Sequence, residues 1–111
     1  MVSTPGKQPS EQQIDELVRR IRSAANPLRI ILFGSAARGE WAGKSDLDVL
    51  VVVPDGVPRR RTVQQIYRRM IGMGCAVDIV VVTEKDIERF GRSPSMVLAP
   101  ALQEGRTLYA A

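Results

Sequence analysis

Histidine is missing from this 111-residue chain, and cysteine occurs once, at Cys75. The first absence excludes any Ser-His-Asp or Cys-His nucleophile system. The two together exclude an ordinary zinc site, because one thiolate and no imidazole cannot supply the ligands. A single cysteine also excludes an internal disulfide framework and fits a reducing compartment. Long apolar runs are missing as well: none approaches membrane-spanning length, and the first ten residues are polar, without the apolar centre of a signal peptide. No membrane association is therefore expected, and the cytoplasm is the expected location. No repeat, low-complexity block or linker divides the sequence.

What is present is the composition of a soluble globular domain, 44% hydrophobic and 25% charged, long enough to bury a modest core. The net charge of +4 fits a solvated surface balance as well as an acidic partner, a nucleotide or a nucleic acid. Residues 1–9 read as a frayed tail and residues 10–111 as one domain. Ser10 with Gln13 three residues on predicts a capped helix whose Ile14, Leu17, Val18, Ile21 and Ala25 form one apolar stripe. Asn26-Pro27 ends it. An apolar strand over 28–33, a short helix over 36–40 and a second strand over 46–53 follow. Pro54-Asp55-Gly56 is a turn, and Val63, Ile66, Tyr67 and Met70 place a third helix beyond it. A third strand over 75–82, a helix opened by Thr83 and Asp86 and closed by Gly91, a helix begun at Ser93-Pro94 and interrupted at Pro100, and a short strand over 106–109 complete the order. The alternation predicts an α/β fold, a small mixed β-sheet packed with helices.

The chemistry concentrates between Gly34 and Asp48. Gly34-Ser35 stands where a strand turns sharply into a short helix, a geometry that aims backbone N–H groups at a phosphate. Ten residues later, Asp46 and Asp48 open the next strand. Residues two apart on a strand share a face about 7 Å apart, so their carboxylates can converge on a hard divalent cation. Asp78 is the one charge inside the third strand, between Val77 and Ile79. It is costly to bury unless paired or metal-bound. Either it faces water from an edge strand, or it lies beside the second strand on the face that carries Asp46 and Asp48. Arg38 and Lys44 each offer a positive charge to a triphosphate, Lys44 reading equally well as a solvated loop residue. Gly39 to Ser45 imitates a P-loop, but three residues separate its glycines where four are required, and it leads into a strand rather than a helix.

Gly34-Ser35, ten residues, Asp46-x-Asp48 resembles the signature of the DNA polymerase β-like nucleotidyltransferases. The surrounding FGSAARGE and SDLDVLVVV segments are similar to the minimal nucleotidyltransferase (MNT) branch, whose members often act as antitoxins beside a HEPN-domain ribonuclease toxin. The resemblance spans roughly residues 12–109. It implies the nucleotidyltransferase fold and Mg²⁺-dependent transfer of AMP from ATP to a hydroxyl, with a tyrosine of the HEPN partner as the expected acceptor. It also implies metal binding and catalysis by Asp46, Asp48 and Asp78, the third carboxylate taking the proton of the attacking hydroxyl. Gly34, Ser35, Arg38, Lys44 and Ser45 are the implied nucleotide-binding residues. Relatives often carry arginine where this chain has Ala36, which puts one phosphate or partner contact in doubt. Three acids near one another without a cation repel, so at least one should hold its proton more tightly than usual.

Other residues carry alternatives. Arg59-Arg60-Arg61 with Arg68 and Arg69 reads as a solvated helix surface, or as a contact for an acidic partner or RNA. Trp41 reads as a packing or partner residue, and Cys75 as a small buried hydrophobe. A small-molecule nucleotidyltransferase of the antibiotic-modifying kind would need a homodimer to complete its acceptor pocket. An antitoxin acting by occlusion alone would leave the three acids without purpose. A third, weaker rival adds nucleotides to RNA ends, with the arginine cluster as its track; the expected partners are a protein and a nucleoside triphosphate, and nucleic acid is not among them.

Overall fold

A computed structural model describes residues 8–41, 46–90 and 98–111 of the chain. Helix α1 (Glu11–Ala24) starts where the capping box requires: Ser10 Oγ accepts the Gln13 N–H at 3.1 Å and Gln13 Oε1 accepts the Ser10 N–H at 2.8 Å. Such a cap is worth about 1 kcal/mol. Ile14, Leu17 and Ile21, at most 4% exposed, form its buried stripe. Pro9, placed in the tail by the sequence reading, is buried just ahead of the helix.

Strand β1 (Arg29–Phe33) runs into a 3₁₀ turn at Gly34–Ala36 instead of the expected helix over 36–40. The Ala37 and Arg38 N–H groups both turn back onto the Gly34 carbonyl, which tightens the segment below an α-helical turn. Strand β2 (Leu47–Val53) returns antiparallel to β1. Helix α2 (Arg59–Arg69) then carries the chain over one face of the sheet, and β3 (Val77–Thr83) lies parallel to β2. Helices α3 (Glu84–Phe90) and α4 (Leu98–Glu104) lead to β4 (Arg106–Ala110), antiparallel to β1. The order β3-β2-β1-β4 makes a mixed sheet, as the α/β pattern predicts.

Strand alternation divides the core into two parts. Leu47, Val49, Val51, Ile79 and Val81 face α1 and α2, together with Trp41 at 6% exposure. Leu50, Val52 and Val82 face the other way, onto Leu98 and Ala101 of α4. Trp41 is thus a packing residue. Pro100 does not interrupt α4, which stays helical through it over Leu98–Glu104. The helix expected to begin at Ser93-Pro94 has its start outside the described residues.

Helix α2 is held at both ends by partners from elsewhere. Arg20 of α1 donates to the carbonyls of Arg69 and Ile71 at 2.8 and 2.7 Å, satisfying acceptors that a helix C-terminus leaves open. Glu16 steadies that guanidinium at 2.6 Å. At the other end Arg59 pairs with Asp86 at 2.7 Å. Asp86 also accepts the Thr83 N–H at 2.9 Å, fixing the start of α3. Among the described residues, no helix is long and apolar enough to cross a membrane.

Candidate active site

Asp48 and Asp78 stand opposite one another in the parallel β2–β3 register. Their parity with Leu50, Val52 and Val82 puts both carboxylates on the α4 face, at the end of the sheet where these strands begin. The shared face expected of them is therefore present. The two readings of Asp78 are also not exclusive: it is exposed on an edge strand and it neighbours Asp48. Asp46 lies one residue ahead of β2 and is exposed.

Gly34 closes the site from β1. Its φ of +72° is a left-handed conformation that disfavours any side chain. Its position is also full: a Cβ there would overlap Asp48 Oδ2 and lie 3.2 Å from Asp48 Cγ. Glycine is thus needed twice, for the turn and for the close approach of the Asp48 carboxylate to the backbone. Ser35 follows, half-buried, its carbonyl accepting the Glu40 N–H at 2.8 Å. Arg38 is exposed and pairs with Glu40 at 3.2 Å. It is close enough to favour the charged form of Asp48. Lys44 and Ser45 lie outside the described residues.

Burial pushes the Asp48 carboxyl above the ordinary aspartate range, and the negative charges of Asp78 and Asp46 push it further, against the pull of Arg38. The repulsion expected of three nearby acids thus falls on the most enclosed of them. Among the described residues, no three acidic, cysteine or histidine side chains are drawn into a ready-made metal cage. The donor chemistry nevertheless fits a hard divalent cation: carboxylate oxygens beside one another, one carrying the strain of its neighbours' charge, and a glycine that keeps the space before it clear of side chain. Asp46, Asp48 and Asp78 are the residues that would hold it.

One contributor escaped the sequence reading. Tyr67, counted there as part of an apolar stripe, donates its hydroxyl to Asp78 Oδ1 at 3.2 Å and accepts the Ile79 N–H at 2.9 Å. The signal was the hydroxyl itself, which a hydrophobic periodicity does not weigh. The arginine cluster divides: Arg59 is engaged with Asp86, while Arg60, Arg61, Arg68 and Arg69 are exposed.

Comparisons with known proteins bear on the family and the fold. The profile of the family described as "Nucleotidyltransferase domain" matches residues 14–108. A candidate protein adenylyltransferase of Methanocaldococcus jannaschii is 30% identical over 102 residues, which cover 89% of this chain and 97% of that protein. A toxin–antitoxin structure with AMP-PNP has a chain that superposes with a TM-score of 0.65 at 22% identity, covering 88% of this chain and 73% of its own. A nucleotidyltransferase-fold structure from Sulfolobus solfataricus gives 0.60 at 22% identity, with 89% and 78% covered. A complex of a tri-AMPylated Shewanella oneidensis HEPN toxin with its MNT antitoxin gives 0.61 at 19% identity, with 91% and 72% covered. With the acids of β2 and β3 in register beside a glycine turn, and the family profile running from α1 to β4, this chain belongs to the nucleotidyltransferase domain family.

Proposed function

We propose that this chain is a protein adenylyltransferase that moves AMP from ATP to a tyrosine hydroxyl of a HEPN toxin, acting as its antitoxin in the cytoplasm. The observation that carries the reading is the pairing of Asp48 with Asp78 on one face, directly before Gly34. The relative named for protein adenylylation and the AMPylated toxin complex supply the acceptor class. In the reaction, the acceptor oxygen bonds to the α-phosphorus, the bond to the pyrophosphate oxygen breaks, and the hydroxyl proton passes to the Asp78 carboxylate. Gly34 and Ser35 bind the terminal phosphates, with Arg38, Lys44 and Ser45 completing the nucleotide site. Asp46, Asp48 and Asp78 would hold Mg²⁺, which when bound neutralises triphosphate charge and makes the hydroxyl more acidic. An acceptor can arrive from outside because Asp78 sits exposed on the free edge strand.

The test is incubation with α-labelled and, separately, γ-labelled ATP, Mg²⁺ and the co-encoded partner protein. Label from the α-position alone should appear on a partner tyrosine. Label on a small molecule or an RNA end, with the partner unlabelled, refutes the reading. Inhibition of the toxin without any label would favour occlusion instead.

A further inference from the structure

Asp78 poses a mechanical problem. It is exposed, and the carboxylate of Asp48 stands beside it in register. Repulsion between them disfavours rotamers that face Asp48 but leaves several outward ones open. A group that accepts a proton has to be held in hydrogen-bond reach of the reacting hydroxyl, so something must select one of them.

The selecting contact comes from a helix on the other side of the sheet. Tyr67 belongs to α2, which packs on the face opposite Asp48 and Asp78, and its ring reaches around the free edge of β3. The alternation of the parallel ladder turns the Ile79 N–H outward on that edge, where none of the described strands accepts it; the Tyr67 oxygen does so at 2.9 Å. The same hydroxyl then has its single proton to give, and it gives it to Asp78 Oδ1 at 3.2 Å. Both bonds fix the phenol, and the phenol fixes one oxygen of the carboxylate. Fixing one oxygen sets the direction of the other. The ring is partly exposed, but the helix that carries it is fixed: Ile66 is buried in the core and Arg20 binds the carbonyls of Arg69 and Ile71.

We propose that Tyr67 is a positioning residue for the transfer reaction: its hydroxyl, braced on the Ile79 amide, holds Asp78 in the orientation that receives the acceptor's proton. The inference rests on the transfer reading, in which Asp78 accepts that proton. It concerns a residue outside the glycine-serine and aspartate motif and leaves nucleotide binding to other groups.

Tyr67→Phe removes one oxygen and keeps the ring. With the full chain, the partner protein, ATP and Mg²⁺, kcat should fall about 10- to 100-fold, the usual effect of removing a group that orients a reacting one. KM for ATP should stay within about twofold, because no ATP-binding group is touched. Exchange of the Ile79 amide should quicken in the same variant, reporting the lost brace directly. In an Asp78→Asn background, Tyr67→Phe should cost no further rate, since the two act as one unit. An unsubstituted chain that labels the partner, beside a Tyr67→Phe chain that labels it at an equal rate, overturns this inference alone. So does an equal loss from Tyr67→Phe in the Asp78→Asn background, or AMP found on Tyr67 itself, which would make the hydroxyl an acceptor. An unsubstituted chain that transfers AMP to no partner overturns the transfer reading, and this inference falls with it.

Discussion

Gly34→Ala is the sharpest probe of the site, because one methyl group meets two separate obstacles. The first is the backbone. At φ +72° an L-residue is strained by about 1–2 kcal/mol relative to glycine. The second is the Asp48 carboxylate, whose Oδ2 the new Cβ would overlap. Asp48 must turn away, and an off-rotamer carboxylate costs about 0.5–1.5 kcal/mol. Restricting the unfolded chain returns about 0.4–1 kcal/mol. The net loss is about 2 kcal/mol, or a fall in melting temperature of roughly 8–10 °C for a domain of this size. Moving a reacting group by about 1 Å can also cost about 100-fold in rate. Thermal melts of the metal-free chain and AMP transfer to the partner measure the two effects. A double-mutant cycle separates the obstacles: in an Asp48→Ala background the carboxylate is gone, so Gly34→Ala should retain only the backbone strain and cost about 1 kcal/mol less. Equal costs in both backgrounds would show that Asp48 is not the neighbour that matters. A variant melting within about 2 °C of the parent and transferring AMP normally would refute the reasoning altogether.

Three further outcomes follow from the same residues. Asp46→Asn, Asp48→Asn and Asp78→Asn should each reduce transfer by several orders of magnitude with circular dichroism unchanged, since each removes a metal-directed charge at constant size; normal turnover excludes the residue concerned. Asp48 is raised in the folded state, so the metal-free chain loses stability from this group as pH rises from the ordinary aspartate value through the higher folded one. Melting temperatures should therefore show Asp48→Asn gaining on the parent as pH rises above the ordinary aspartate value of about 4, and a constant difference would remove the repulsion argument. Asp86 behaves oppositely: the Thr83 N–H foremost, with the Thr83 hydroxyl and Arg59, lowers it, so its stabilisation is present above the ordinary value and vanishes as pH falls through the folded one. Asp86→Asn should cost stability at pH 7 and progressively less under acid, and calorimetry showing a loss independent of pH would contradict the assignment.

The parts of the site legible in the sequence are those governed by local rules. Alternation along β2 placed Asp48 opposite the core-facing Leu47 and Val49, and the capping box marked the start of α1 to the residue. Gly34 was legible as a turn, but its closeness to Asp48 depends on the β1–β2 register, which no local pattern encodes. Asp78 was legible as an anomaly; that it stands directly opposite Asp48 follows from a parallel pairing made across a helical crossover. Tyr67 was hidden because its ring belongs to the apolar periodicity of α2 while its hydroxyl belongs to the edge of the sheet. Pro100 misled because a breaker rule is local, while α4 stays helical through it with Leu98, Ala99 and Ala101 buried.

The parallel pairing of β2 with β3 has a kinetic side. Gly34 follows β1 directly and Asp48 lies on the antiparallel neighbour β2, but Asp78 meets Asp48 only after the whole α2 crossover has been laid down. Closing such a loop costs chain entropy before any contact offsets it, so this pairing belongs to the later, less local part of assembly. A ligand that bridges the two carboxylates has nothing to hold in a partly folded chain. It would act after the folding barrier, leaving the folding rate alone and slowing escape from the native state. Nucleotide-loaded protein would then outlive the free chain under proteolysis through slower opening, and the cellular lifetime of this domain would rise and fall with its access to ATP.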